Sequence, residues 1–350
     1  MAPILDIVFR RLAARLVVLL ALVALASCSR APQAAVTSVK LLVDADGVYQ
    51  VTAGELAAVG FELGNGPGDL TLTAGGEPVA FELTGRGRNQ ALRFYGQALG
   101  PEAHTATNVY WLAQDPSASG DAPGRIMENR EPLPAGVTAA QVVTATVHIE
   151  QQRQHRSDAA ETGDRWTWQT LFAPADFEFK VNTPAPADGS GVLRLYVVAN
   201  SQAEVNPDHH LTIAVNGMPV ADATWDGLGP QVITATIPAG MLLDGDNAVR
   251  LAAPGDTGAP ADVVILDRAE LAYVRRLILD DEILAFAGDA VAYAIELAEQ
   301  PVLLWDITAP AQPVALPVTD AQDGQLAMPG GAGRRFVAVT ERGLTKPAAI

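Results

Sequence analysis

The chain has 350 residues, a formal charge of −17, 6% aromatic residues and a single cysteine. Such acidity repels phosphate backbones and argues against nucleic-acid binding. One thiol leaves no intrachain disulfide, and the abundance of Ala, Val, Leu, Gly, Pro and Thr suits turn-rich β-domains better than helical bundles.

The N-terminus reads first as an export signal. Arg10, Arg11 and Arg15 form a positive region, and Leu16 to Ala26 an apolar one. About eleven apolar residues are too few to span a bilayer as a mature helix. The run Leu25-Ala26-Ser27-Cys28 that follows resembles the lipobox of bacterial lipoproteins. The resemblance implies diacylglyceryl transfer to the Cys28 thiol, cleavage before it and acylation of the new N-terminus. Two or more acyl chains give a stable anchor where one does not. The expected partner of the N-terminus is therefore a membrane, reached through acylated Cys28 on its outer face. The alternative is an ordinary cleaved signal with an incidental cysteine. Residues 1–27 carry +2, so the remainder carries −19.

Residues 28–38 read as an Ala/Pro/Gln tether. Residues 39–113 read as an N-terminal β-domain. In it, Val39–Val43 and Val48–Val51 flank Asp44-Ala45-Asp46-Gly47 and predict a hairpin. Thr52 with Glu55 predicts a capping box opening a short helix that Gly60 ends. Alternation at Leu70/Leu72 and Val79/Phe81/Leu83, about Gly75-Gly76, predicts further strands, as do Leu92–Gly96 and Asn108–Leu112. Residues 114–140 are rich in Pro, Gly, Ser and Asp and read as a linker. Residues 141–275 carry strands of six to ten residues broken by Gly/Pro/Asp turns, with Asn216-Gly217 a strong hairpin signal; they predict a β-sandwich. Residues 276–341 have the size of a small immunoglobulin-like β-domain, and 342–350 read as a tail. The predicted fold class is all-β, a tandem of β-sandwich modules, with no fixed repeat period.

Together these runs resemble a known family. Asp46-Gly47-Val48-Tyr49 with Leu56 and Gly60-Phe61, then Leu92–Gly96 and Asn108–Leu112, resemble the region that precedes the peptidase domain in secreted gingipain-like cysteine peptidases. His210-Leu211 to Val215-Asn216-Gly217, the Gly245-Asp246-Asn247 turn and Asp267 to Tyr273 resemble the jelly-roll module of such chains, a fold shared with carbohydrate-binding modules. Trp305-Asp306-Ile307-Thr308 with Pro310 and Pro313 resembles their small third module. The resemblance covers about 40–345 and implies an accessory region that holds or orients a caspase-fold catalytic domain. That domain's His/Cys pair has no matching positions before Ile350, so no catalytic residue carries over. A truncated or split reading frame, or a member lacking its enzyme domain, is expected.

Other constellations have plainer readings. Cysteine catalysis needs an exposed thiol beside a base, and Cys28 is committed to the lipobox. No Gly-x-Ser-x-Gly elbow is present, although composition leaves a Ser/His/Asp site open. The histidines are His104, His148, His155, His209 and His210. Adjacent His209 and His210 on a strand point to opposite faces and do not share a metal, so a solvated strand entry is the expectation. Asp44/Asp46 and Asp244/Asp246 are weak calcium candidates that read better as turns, leaving no expected cofactor beyond a structural calcium. Trp166 and Trp168 share a face if extended and form a candidate sugar platform, with core packing as the competing expectation. Asp222, Asp226 and Asp267 are acidic residues that such a platform would use. The expectation is a non-catalytic surface lipoprotein, accessory to a peptidase domain; the alternatives are a carbohydrate-binding or adhesive module and a hydrolase with an unrecognised site.

Overall fold

The computed structural model describes residues 36–64, 69–100, 105–114, 124–156, 165–280, 282–318 and 323–350. Cys28, its lipobox and His104 lie outside the described residues.

The first module carries β1 (Ser38–Val43), β2 (Gly47–Thr52), α1 (Ala53–Ala58), β3 (Leu70–Ala74), β4 (Glu77–Pro78), β5 (Phe81–Thr84), β6 (Ala91–Gly96) and β7 (Asn108–Gln114). They form two sheets, ordered β1-β7-β3-β4 and β2-β6-β5, around a core that includes Leu41, Tyr49, Leu72, Phe81, Phe94 and Leu112. Helix α1 opens on the expected capping box: the Thr52 side chain accepts from the Glu55 N–H, and the Glu55 carboxylate accepts from the Thr52 N–H at 2.9 Å. Both partners satisfy backbone donors that the first helical turn leaves free.

The Asp44–Gly47 turn does not close a hairpin, contrary to the sequence expectation. β1 pairs with β7 and β2 with β6, so the chain crosses between sheets at this turn. The reason lies in burial. Tyr49 and Val51 enter the first-module core, while Val48, on the opposite face of β2, enters a second core shared with the third module. The corner is braced by the Tyr49 hydroxyl, which donates to the Ala45 carbonyl at 2.8 Å, and by the Asp46 carboxylate, which accepts the Ala98 N–H at 3.0 Å.

After β8 (Met127–Glu128), the middle module carries β9 (Val142–Glu150), β10 (Gln154–His155), β11 (Trp166–Thr167), β12 (Gln169–Phe172), β13 (Ala175–Thr183), β14 (Gly191–Ala199), β15 (His209–Val215), β16 (Met218–Trp225), β17 (Gly229–Ile237), β18 (Gly245–Ala253) and β19 (Val263–Arg276). One sheet runs β12-β19-β14-β17 with β9 also on β19, and the facing sheet runs β13-β18-β15-β16. Inward residues at alternate positions, such as Leu193, Leu195 and Val197 of β14 and Leu211, Ile213 and Val215 of β15, fill a continuous core between the sheets. Asn216 (φ 49°) and Gly217 (φ 78°) turn the β15–β16 hairpin in the left-handed conformations that a two-residue loop requires.

The third module carries β20 (Ile278–Leu279), β21 (Ile283–Gly288), β22 (Ala292–Leu297), β23 (Leu303–Asp306), β24 (Val314–Ala315), β25 (Gln325–Pro329) and β26 (Arg334–Val339). Its sheets are β20-β22-β25 and β21-β26-β23-β24-β8. The architecture is all-β, a tandem of β-sandwich modules, as expected.

Two segments read as linker and tail are structural. Gly124 accepts from the Phe81 N–H at 2.7 Å, the Ile126 N–H donates to the Phe81 carbonyl at 3.1 Å, and β8 then runs parallel to β24. This strand therefore stitches a first-module sheet to a third-module sheet. At the other end, Thr345 accepts from Gln50 N–H at 2.8 Å and Ala349 from Leu42 N–H at 3.0 Å, while Ile350 packs on the first core. Between the two modules lies one apolar cluster of Val48, Ala80, Tyr95 and Ile126 with Leu303, Trp305, Ile307, Val337 and Val339. The first and third modules are thus fused, and the jelly-roll-like module is an insertion between them in sequence.

Candidate functional site

A group of titratable side chains lies at one end of the middle sandwich, where three connections meet: 200–208, 226–228 and 254–262. Strand alternation turns His209 inward and His210 outward at the start of β15. His209 is fully buried rather than solvated, which corrects the reading of this pair as an exposed strand entry. Its Nδ1 lies 2.6 Å from an Asp262 carboxylate oxygen, and its Nε2 lies 3.0 Å from the Ser201 carbonyl and 3.5 Å from Asp208. The ring stacks on Trp225 with centroids 5.1 Å apart.

Asp208 and Asp262 are also buried. Asp208 accepts N–H bonds from Ala203 at 2.8 Å and Gly227 at 3.0 Å. Burial works to raise its carboxyl, but these two N–H groups and His209 hold it below the ordinary value. Asp262 accepts the His210 N–H at 3.2 Å through its second oxygen. His210, on the outer face, has Asp256 at 2.7 Å on Nδ1 and Asp222 at 2.9 Å on Nε2. The bond to Asp256, reinforced by Asp222 and opposed by burial, raises its pKa above the ordinary histidine value.

Asp262, His209 and Ser201 look like a hydrolytic triad, but the geometry is wrong for one. Nε2 faces the Ser201 backbone carbonyl, while the Ser201 hydroxyl oxygen accepts the Val263 N–H at 2.8 Å. A triad requires the hydroxyl on the ring nitrogen and substrate access to it. Neither is met at a fully buried ring.

The sequence candidates are dispersed. Trp166 is 42% exposed and packs edge-on to His155, whereas Trp168 is 1% exposed and lies against Phe177 and Phe179. The strand is interrupted at Trp168, whose N–H donates to Leu266 at 3.0 Å; the break sends the second indole into the core. The two therefore do not form one platform. Asp222 is engaged with His210 and Asp267 with Arg268, on different sheets. Asp244 accepts the Ala185 N–H at 2.9 Å, and Asp246 pairs with Lys180 at 3.2 Å. Their turn is organised by buried Asn247, whose amide bonds Thr183, Leu243 and Gly245 and accepts from Leu243 N–H and Asn216. Among the described residues, no group of three or more His, Cys, Asp or Glu side chains is placed to hold a metal ion.

No known protein family matches the chain, and no curated protein matches it. Among solved structures, dimeric latent PorU from Porphyromonas gingivalis matches with a TM-score of 0.67 at 17% identity, over 90% of this chain. The likeness is one of fold. The matched region spans 33% of the PorU chain, so this chain corresponds to about a third of it. Two CBM36 carbohydrate-binding modules match 36% of the chain: one in complex with calcium and xylotriose at 18% identity, one from a xylanase of the Trinervitermes trinervoides hindgut metagenome at 12%. Both have TM-scores of 0.25 and carry no argument about ligand.

Proposed function

We propose that this chain is a surface-anchored β-module lipoprotein, tethered through acylated Cys28, whose modules hold and orient a gingipain-like catalytic domain. The observation that carries the reading is the fold shared with a region of latent PorU over 90% of the chain, in agreement with the sequence resemblance along the same stretch. Two features of the structure support it. The first and third modules share one core and are stitched by the 124–128 strand, which makes a stiff base rather than beads on a string. Second, residues 36–38 and 345–350 both lie on the first module, so the expected tether and the 345–350 segment meet on one rigid unit. An orienting role needs such a fixed geometry.

The reading is tested by metabolic labelling with a radioactive fatty acid and membrane fractionation. The native protein is expected to carry label and sediment with membranes, and Cys28→Ser to lose the label and become soluble. A labelled Cys28→Ser protein, or an unlabelled native one, would reject the anchor.

A further inference from the structure

We propose that the outward face of the β1-β7-β3-β4 sheet, built around Trp111 and Lys40, lies on the lipid surface; the inference rests on the anchor at Cys28 proposed above. It begins with reach. Residues 29–35 are all that separate Cys28 from Val36, and β1 starts at Ser38. At about 3.6 Å per residue, even a fully extended tether bridges no more than about 30 Å. The chain enters the fold beside β7, where the Gln114 N–H donates to the Thr37 carbonyl at 2.8 Å. An acyl anchor at Cys28 therefore keeps the β1 side of the first module close to the bilayer.

The chemistry of the sheet selects the face. Strand alternation buries Leu41 and Val43 of β1 and Leu112 of β7, and turns Lys40, Leu42, Val109 and Trp111 outward. Thr71 and Thr73 of β3 point the same way. No outward position of β1, β3 or β7 is a carboxylate, and Lys40 is the single charge among them. The chain as a whole carries 40 Asp and Glu against 23 Lys and Arg. The outward positions of β13 in the middle module, by contrast, include Asp176, Glu178 and Lys180. An acidic protein held at a bilayer with anionic lipids is repelled least through the face that lacks carboxylates. Trp111 supplies the attraction. It is 43% exposed, an amphipathic ring of the kind that settles at headgroup depth. Lys40 stands opposite it on β1, with Nζ 4.8 Å from the ring centroid, so indole and ammonium project together. Ala349 bridges Leu42 on the outer edge of β1 and adds no charge there.

The test uses the acylated full-length protein reconstituted into vesicles of dibrominated phosphatidylcholine and phosphatidylglycerol. Bromine quenches an indole only at contact, and Trp166, 42% exposed in the middle module, is the internal control. Quenching of the native protein is expected to vanish in Trp111→Phe and to persist in Trp166→Phe. Lys40→Glu keeps both reporters, puts a carboxylate on the face, and should lose most of the quenching. Acylated, vesicle-bound protein whose quenching is unchanged in Trp111→Phe would overturn this face while leaving the anchor standing. A Trp111 reached neither by bromolipid nor by aqueous acrylamide would assign the face to a second copy, and would overturn it too. Protein without an acyl chain would reject the anchor, and this face with it.

Discussion

Replacing Trp305 with alanine probes the fusion of the first and third modules. Trp305 is 1% exposed and packs in a cluster drawn from both, with Val48, Ala80, Tyr95 and Ile126 on one side and Ile307, Val337 and Val339 on the other. Removing a buried indole costs roughly 3–5 kcal/mol, because lost transfer energy and the residual cavity add. At about 1.4 kcal/mol per factor of ten, local opening should become at least about a hundredfold more frequent. The distribution of the effect matters more than its size. If the core is shared, hydrogen exchange in Trp305→Ala should accelerate in β2, β5 and β6 as well as in β23 and β26, and leave β14 and β15 unchanged. Trp168→Ala, a deletion of the same size in the middle core, should do the reverse. Acceleration confined to the third module in Trp305→Ala would refute the shared core and return the chain to three independent units.

Trp166→Ala should change stability by no more than about 0.5 kcal/mol, against roughly 3–5 kcal/mol for Trp168→Ala, read as urea midpoints. Thr52→Ala breaks the capping box and should cost about 1 kcal/mol by thermal unfolding. Asn247→Ala strips the turn of its central amide and orphans buried partners, so at least about 2 kcal/mol is expected from denaturant titration. Because Asp244 and Asp246 are occupied by Ala185 and Lys180, EDTA should leave the melting temperature unchanged; a calcium-dependent rise of several degrees would restore the metal reading.

Local chemistry was the legible part of this chain. The Thr52/Glu55 cap and the Asn216-Gly217 hairpin depend on residues a few positions apart, and both form as their types dictate. The Asp44–Gly47 corner misleads because its turn signal is local while the choice of sheet is not: Val48 belongs to a core whose other half begins more than 250 residues later. The same distance hides the structural role of 124–128, which sits within a Pro/Gly/Ser/Asp-rich stretch, and of 345–350, a short segment containing Pro347. Period two placed both indoles on one face, and a single break at Trp168 undid it. The His209/Asp262 pair is 53 residues apart and has no motif; only the acidic residue before His209-His210 marked the place.

The central claim is that these modules serve as an anchored support for a gingipain-like catalytic domain. It is tested most directly by intact-mass spectrometry of the protein immunoprecipitated from its own detergent-solubilised membranes. The account predicts a chain beginning at acylated Cys28, with a caspase-fold peptidase domain covalently continuous or co-isolated in equal amount. A protein of unmodified N-terminus that comes down with no such domain would contradict it.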